Sequence, residues 1–121
     1  KDEMFFAEKD NGAFFNNHRI RVSNKNEIDK CLFALGGKSQ NEPKIPNRKT
    51  GCAALDMAYV ASGRFDGFFQ NSLNLWDIAA GIILVKEAGG IINEINMDKI
   101  ENLNVIASSI SINSKFNEKI K

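Results

Sequence analysis

Two stretches of this chain combine residue types and spacings that could do chemistry. The first is Trp76-Asp77, shortly after Asn74 and at the start of an apolar helical pattern. A carboxylate in the first turn of a helix, beside a tryptophan expected to be buried, can point beyond a sheet edge toward a cation. It can equally be a helix-start residue favoured by the helix dipole, with Asn74 as N-cap and Asp77 completing a capping-box-like pair. The second stretch is Arg48-Lys49-Thr50-Gly51-Cys52-Ala53, where basic residues, a hydroxyl and a glycine run into a helix start. Backbone N–H groups there can hold phosphate oxygens or sugar hydroxyls. An ordinary helix N-terminus flanked by two solvated cations has the same composition. The GxxxxGK[ST] and GxGxxG patterns of nucleotide binding are absent. The Trp-Asp pair occurs once, without the repeat of roughly 40 residues that a propeller needs.

The other conspicuous residues read as structural. His18 lies in a polar Asn16-Asn17-His18-Arg19 stretch and reads as a surface turn residue. Asp56 falls inside a helical pattern, as a solvated position or a partner for a nearby cation. Asp66-Gly67 reads as a turn, and Lys86-Glu87 as a helix end. The nine phenylalanines lack interleaved basic residues and read as core rather than a base-stacking surface.

Sixteen basic and fifteen acidic residues leave a formal charge of +1. That balance speaks against a basic nucleic-acid domain and against an acidic tail. Cys31 and Cys52 show no CxxC spacing and His18 is near neither, which argues against a zinc site. Both read as buried free thiols, consistent with a reducing cytoplasm. No run reaches the roughly 18 apolar residues of a membrane span. The chain opens on Lys1-Asp2-Glu3, neither an initiator methionine nor a signal peptide. The expectation is a fragment or a processed product.

The elements that would position these residues follow from periodicity. Met4 to Ala7 and Ala13 to Phe15 flank a Lys9–Gly12 turn, and Arg19 to Val22 alternates, so a small antiparallel meander is expected. Cys31 to Leu35 is a continuous apolar run ended by Gly36-Gly37, a buried strand. Residues 38–50 hold both prolines and read as a loop. A tightly packed helix runs from Gly51 to Gly63, then a short strand from Phe65 to Gln70. A second helix from Asn74 ends at Gly89-Gly90. Two more strands follow, Ile91-Ile92 with Ile95, and Val105 to Ala107. A terminal helix, 111–121, has Ile112, Phe116 and Ile120 on one face. Such alternation indicates an α/β fold, an α+β layered sandwich. Residues 1–37 would hold the end of a central antiparallel sheet and the first strand of a second sheet. Residues 38–50 would be a loop, and 51–121 a carboxy-terminal α/β subdomain.

Three blocks together resemble the carboxy-terminal signature of the inositol monophosphatase family: GCAALDMAYVASGRFDGF from Gly51 to Phe68, WDIAAG from Trp76 to Gly81, and VKEAGG from Val85 to Gly90. DEMFFAE from Asp2 to Glu8 and GAFFN from Gly12 to Asn16 resemble the family's central strands. NVIAS from Asn104 to Ser108 resembles its last strand. The resemblance implies part of an α-β-α-β-α sugar-phosphatase fold and a magnesium (Mg2+) dependent phosphomonoesterase. Asp77 then matches a metal-ligand aspartate, while Gly51, Cys52 and Ala53 match a helix-start segment whose backbone contacts the sugar or inositol ring. Arg48 matches a basic residue near the substrate pocket. Gln70 stands where many inositol phosphatases place a glutamate that binds a ring hydroxyl.

This sequence departs from the pattern in three ways. Gln70 keeps the reach of that glutamate and loses its charge. Residues 38–50 look shorter than the family's usual connection, which commonly includes a helix. The early metal-binding glutamate and the DPxDGT motif are absent, so no catalytic residue is assigned and the chain alone is expected to be inactive. The expected substrate is inositol monophosphate or a similar sugar or polyol phosphate monoester. The alternatives are a nucleotide-bisphosphate or fructose-bisphosphate phosphatase, or a non-catalytic regulatory binding protein on the same scaffold. No nucleic-acid or membrane partner is expected. A homodimer of the full-length protein, in the cytoplasm, completes the expectation.

Overall fold

The computed structural model describes residues 3–37 and 43–120. Part of the segment read as a loop, 38–42, lies outside these residues, as do positions 1, 2 and 121. Strands β1 (Phe5–Glu8) and β2 (Gly12–Phe15) form an antiparallel hairpin with Phe6 opposite Phe14 and Ala7 opposite Ala13. Period-two alternation sends Phe5, Ala7, Ala13 and Phe15 inward, the rings of Phe5 and Phe15 meeting at 4.8 Å. Strand β3 (His18–Arg19) adds to β2. It is shorter and earlier than the expected 19–22, because Val22 N–H turns away to the Ala88 carbonyl at 3.0 Å.

Among the described residues the second sheet has five strands: β4 (Phe33–Leu35), β5 (Asn47–Arg48), β6 (Gly67–Leu73), β7 (Ile91–Ile92) and β8 (Leu103–Ser108). Their order is β5-β4-β6-β8-β7, parallel on the β4 side of β6 and antiparallel on its β8 side. The 38–50 segment therefore contains an edge strand. Asn47 and Arg48 pair through backbone alone, which leaves no apolar signature. β6 begins after Phe65 and runs on past Gln70 to Leu73. An irregularity between Gln70 and Leu73, with Ser72 at φ 61°, carries it there.

Helices α1 (Ala53–Ala61) and α2 (Leu75–Glu87) lie between the sheets, and α3 (Asn113–Ile120) covers the far face of the large one. Gly81 lets α2 approach α1: a Cβ there would stand 2.8 Å from Met57. Alternation in the large sheet separates two cores. Ala34, Phe68, Val105 and Ala107 face α1 and α2, whereas Phe33, Phe69 and Ile106 face α3. Phe33 and Phe116 stack there at 4.4 Å, both fully buried. Burying each such ring is worth about 1.5–3 kcal/mol. The layers thus run small sheet, helix pair, large sheet, helix: the layered α/β architecture expected.

Three carboxylates tie separate segments of the fold together. Asp66, read as a turn residue, is 1% exposed and accepts from Leu32 N–H at 2.8 Å and from the Ser23 hydroxyl, with Lys25 Nζ 3.7 Å away. Glu87, read as a plain helix end, accepts from the turn amides of Asp10 at 2.9 Å and Gly12 at 2.8 Å. Asp56, read as solvated or a cation's partner, is 1% exposed and accepts from the Thr50 hydroxyl.

Candidate functional site

Helix α1 follows the carboxyl end of β5, and α2 follows that of β6, so both helix starts emerge at one edge of the parallel part of the sheet. Open α/β sheets bind ligands at this edge. A cleft of about 260 Å³ lies there, lined by Gly51, Cys52, Ala53, Ala54, Gln70, Leu73 and Asp77. Residues 26 positions apart in sequence, Gly51 and Asp77, meet only because α1 and β6 bring the chain back to the same edge.

Gly51 has φ +78°, a left-handed conformation that L side chains rarely adopt, and, among the described residues other than its chain neighbours, no heavy atom lies within 4 Å of where a Cβ would be. The turn thus presents open backbone to the cleft. Cys52 is the N-cap of α1 and is exposed, which corrects the expectation of a buried thiol: its apolar neighbours belong to a helix's first turn, whose outer side faces the cleft. Cys31 is buried as expected. Burial, with the Asp66 carboxylate adding to it, pushes its thiol up to about 11.

Asp77 stands in the first turn of α2. Its side chain is exposed and has no hydrogen-bond or ion-pair partner among the described residues. The expected capping-box pair does not form. Asn74 is the N-cap without a side-chain bond, and Asp77 meets it only through its own N–H, on the Asn74 carbonyl at 3.0 Å. Trp76 is 78% exposed instead of buried, because the inward positions of α2 are Ile78, Ile82 and Val85. Gln70 is half-buried, its amide lying over Gly36, where a Cβ would stand 1.9 Å from Oε1. Arg48 is not part of the cleft lining. Its guanidinium is exposed and donates to the Asn47 carbonyl at 3.2 Å.

Asp77 is the kind of donor a hard cation takes, an ionisable oxygen free of protein partners and open to a cleft. Among the described residues, no group of three or more His, Cys, Asp or Glu could hold a metal ion. Asp77 alone could supply one such ligand. The sequence reading named Thr50 within the helix-start stretch and Asp56 as a solvated position or a cation's partner, but not the hydrogen bond that joins them beneath the turn. The signal was available: Ala53, Asp56, Met57 and Val60 share one helical face, and that face is buried. A larger cleft of about 750 Å³ on the outer face of the small sheet, lined by Met4, Phe6, Phe14, Asn16 and Asn17, offers no titratable group.

The family model "Inositol monophosphatase family" matches residues 1–121. The chain belongs to the inositol monophosphatase family. A relative from Escherichia coli, named Nus factor SuhB, is 42% identical over 78% of this chain and 41% of its own. An inositol-1-monophosphatase from Mesorhizobium japonicum is 34% identical over 89% of this chain and 47% of its own. Among solved structures, the extragenic suppressor protein SuhB of Bartonella henselae superposes with a TM-score of 0.84 at 38% identity, covering 98% of this chain and 54% of that one. An inositol monophosphatase from Anabaena gives 0.86 at 29% identity, over 98% and 55%. The chain therefore spans about half the length of the family members it matches, and the fold is theirs.

Proposed function

We propose that this chain is the part of a magnesium-dependent phosphomonoesterase that presents a substrate-binding turn and one metal ligand, acting on inositol monophosphate or a similar sugar or polyol phosphate. The observation that carries this reading is the convergence of the open Gly51–Ala53 turn, Gln70 and the partner-free Asp77 carboxylate on one cleft. On this reading 51–121 is a carboxy-terminal α/β subdomain, and the remaining metal ligands come from residues outside this chain. Two free thiols suit a reducing, cytoplasmic setting.

Each residue has a task. The helix start offers its first-turn amides from Ala53 onward, which lack intrahelical acceptors, to a phosphate oxygen or a ring hydroxyl. Gln70 donates to or accepts from a ring hydroxyl with its amide. Asp77 supplies a hard anionic oxygen to magnesium. When bound, the metal supplies activation of water and stabilisation of charge on the phosphate and leaving oxygen. Arg48, outside the cleft, contributes long-range positive charge toward an anionic ester.

Substrate choice is tested with the longest natural chain that carries these residues. It should release phosphate from inositol 1-phosphate in the presence of magnesium. Gln70→Glu should raise the ratio of kcat/KM for inositol 1-phosphate over that for another polyol phosphate by about tenfold, the worth of one hydrogen bond to a charged group. A constant ratio with both rates collapsed would give Gln70 a structural role instead. A second reading, a regulatory binding protein on this scaffold, is favoured by the 42% identity to the Escherichia coli relative named Nus factor SuhB. Magnesium-independent absence of phosphate release from every ester tried would favour it.

A further inference from the structure

We propose that Thr50 and Asp56 form a positioning pair that sets the conformation of the Gly51–Ala53 turn and thereby the affinity of the cleft for its phosphate ester; this rests on the phosphatase reading above. Asp56 is not among the residues that line the cleft. It is 1% exposed and points from the buried face of α1 back beneath the turn. Its Oδ1 accepts from Thr50 Oγ1 at 2.5 Å, and Thr50 Oγ1 in turn accepts from Cys52 N–H at 3.2 Å. The backbone N–H of Asp56 also donates to the Cys52 carbonyl at 3.0 Å.

Both polar backbone groups of Cys52 are therefore committed to the protein, one through the hydroxyl and one through the first helical bond. Between the two anchors stands Gly51, at φ +78° with open space where a side chain would be. Such a glycine is free to move unless its flanks are held. The hydroxyl relays the rigidity of the helix interior to this one mobile residue. It also makes burial of the carboxylate tolerable. Burial pushes the Asp56 carboxyl up from its ordinary value, and the Thr50 hydrogen bond pulls it back.

The test uses the longest natural chain that carries these residues, with magnesium in excess and inositol 1-phosphate as probe. Thr50→Val removes the hydroxyl at an exposed position and keeps the shape. KM should rise about tenfold, as for loss of one hydrogen bond to a charged group, with kcat within about twofold of wild type. Exchange of the Cys52 amide should accelerate in this variant while that of Val60 stays unchanged, which separates a loosened turn from a loosened helix. Asp56→Asn keeps an acceptor oxygen and should behave nearly as wild type. Asp56→Ala should match Thr50→Val, and the double variant should be no worse than either, because both remove the same link. Unchanged KM and unchanged Cys52 exchange in Thr50→Val would overturn the proposal, as would additive effects in the double variant. If the wild type hydrolyses nothing, the phosphatase reading falls and the exchange rates alone decide the pair: faster exchange at Cys52 supports it, unchanged exchange overturns it.

Discussion

Cys31 and Cys52 stand in different surroundings, one buried and one exposed, and should differ in reactivity accordingly. Cys31 sits before β4 with burial and Asp66 holding its thiol protonated, raised from 9.0 to about 11. Cys52 stands exposed at the rim of the cleft. Since the thiolate is the reactive form, an alkylating reagent at neutral pH should label Cys52 in the native protein and Cys31 only after denaturation. Peptide mapping by mass spectrometry reads the site. Native labelling of Cys31 would contradict the packing described. At this scale the sequence singled out residues more readily than their surroundings. Asp77, Gln70 and the 51–53 turn were picked out by residue type and motif, and the structure brings them to one cleft. The exposure of Trp76, the burial of Asp56 and the separation of Arg48 from the cleft were not, because each depends on which way a helix or an edge strand is rotated against layers distant in sequence.

At the scale of elements, the small sheet is held to the helices by more than apolar contact. Glu87, at the end of α2, receives both turn amides of the β1–β2 hairpin. Those two bonds, with a smaller contribution from Arg19, hold its carboxyl below the ordinary value of 4.5. A carboxyl whose folded value lies below its unfolded value stabilises the fold above that unfolded value, and the contribution is lost as pH falls through the folded value. The urea midpoint should accordingly fall as pH drops below 4.5, and Glu87→Gln should flatten that fall. Equal slopes for the two proteins would show that the clamp contributes nothing. Strands and helices with apolar periodicity were legible: the hairpin, β4, α1, α2 and the terminal helix with its buried Phe116, although Ile112, expected on that helix, lies in a 3-10 turn just before it. Strand β5 was not, because two polar residues joined by backbone pairing alone leave no pattern to read. The continuation of β6 was hidden for a related reason, since its bulge breaks the alternation.

At the scale of the molecule, alternation of strands and helices was enough to anticipate a layered α/β fold. The strand order β5-β4-β6-β8-β7 was not, since pairing partners are chosen by packing between distant segments. The same order makes the cleft, by delivering two helix starts to one edge. One outer face of the small sheet remains apolar, with Met4 67% and Phe6 51% exposed. The proposed role of the cleft is to hold magnesium through Asp77 for phosphate-ester hydrolysis. Its most direct test is phosphate release across a magnesium titration, comparing Asp77→Asn with wild type in the longest natural chain that carries these residues. The amide is nearly isosteric but a poor ligand for a hard cation. Turnover should fall at least about 100-fold and the magnesium midpoint should move to higher concentration, with an unchanged urea midpoint showing that the fold is intact. Wild-type turnover with an unchanged magnesium midpoint would contradict this role and leave Asp77 as a helix-start residue.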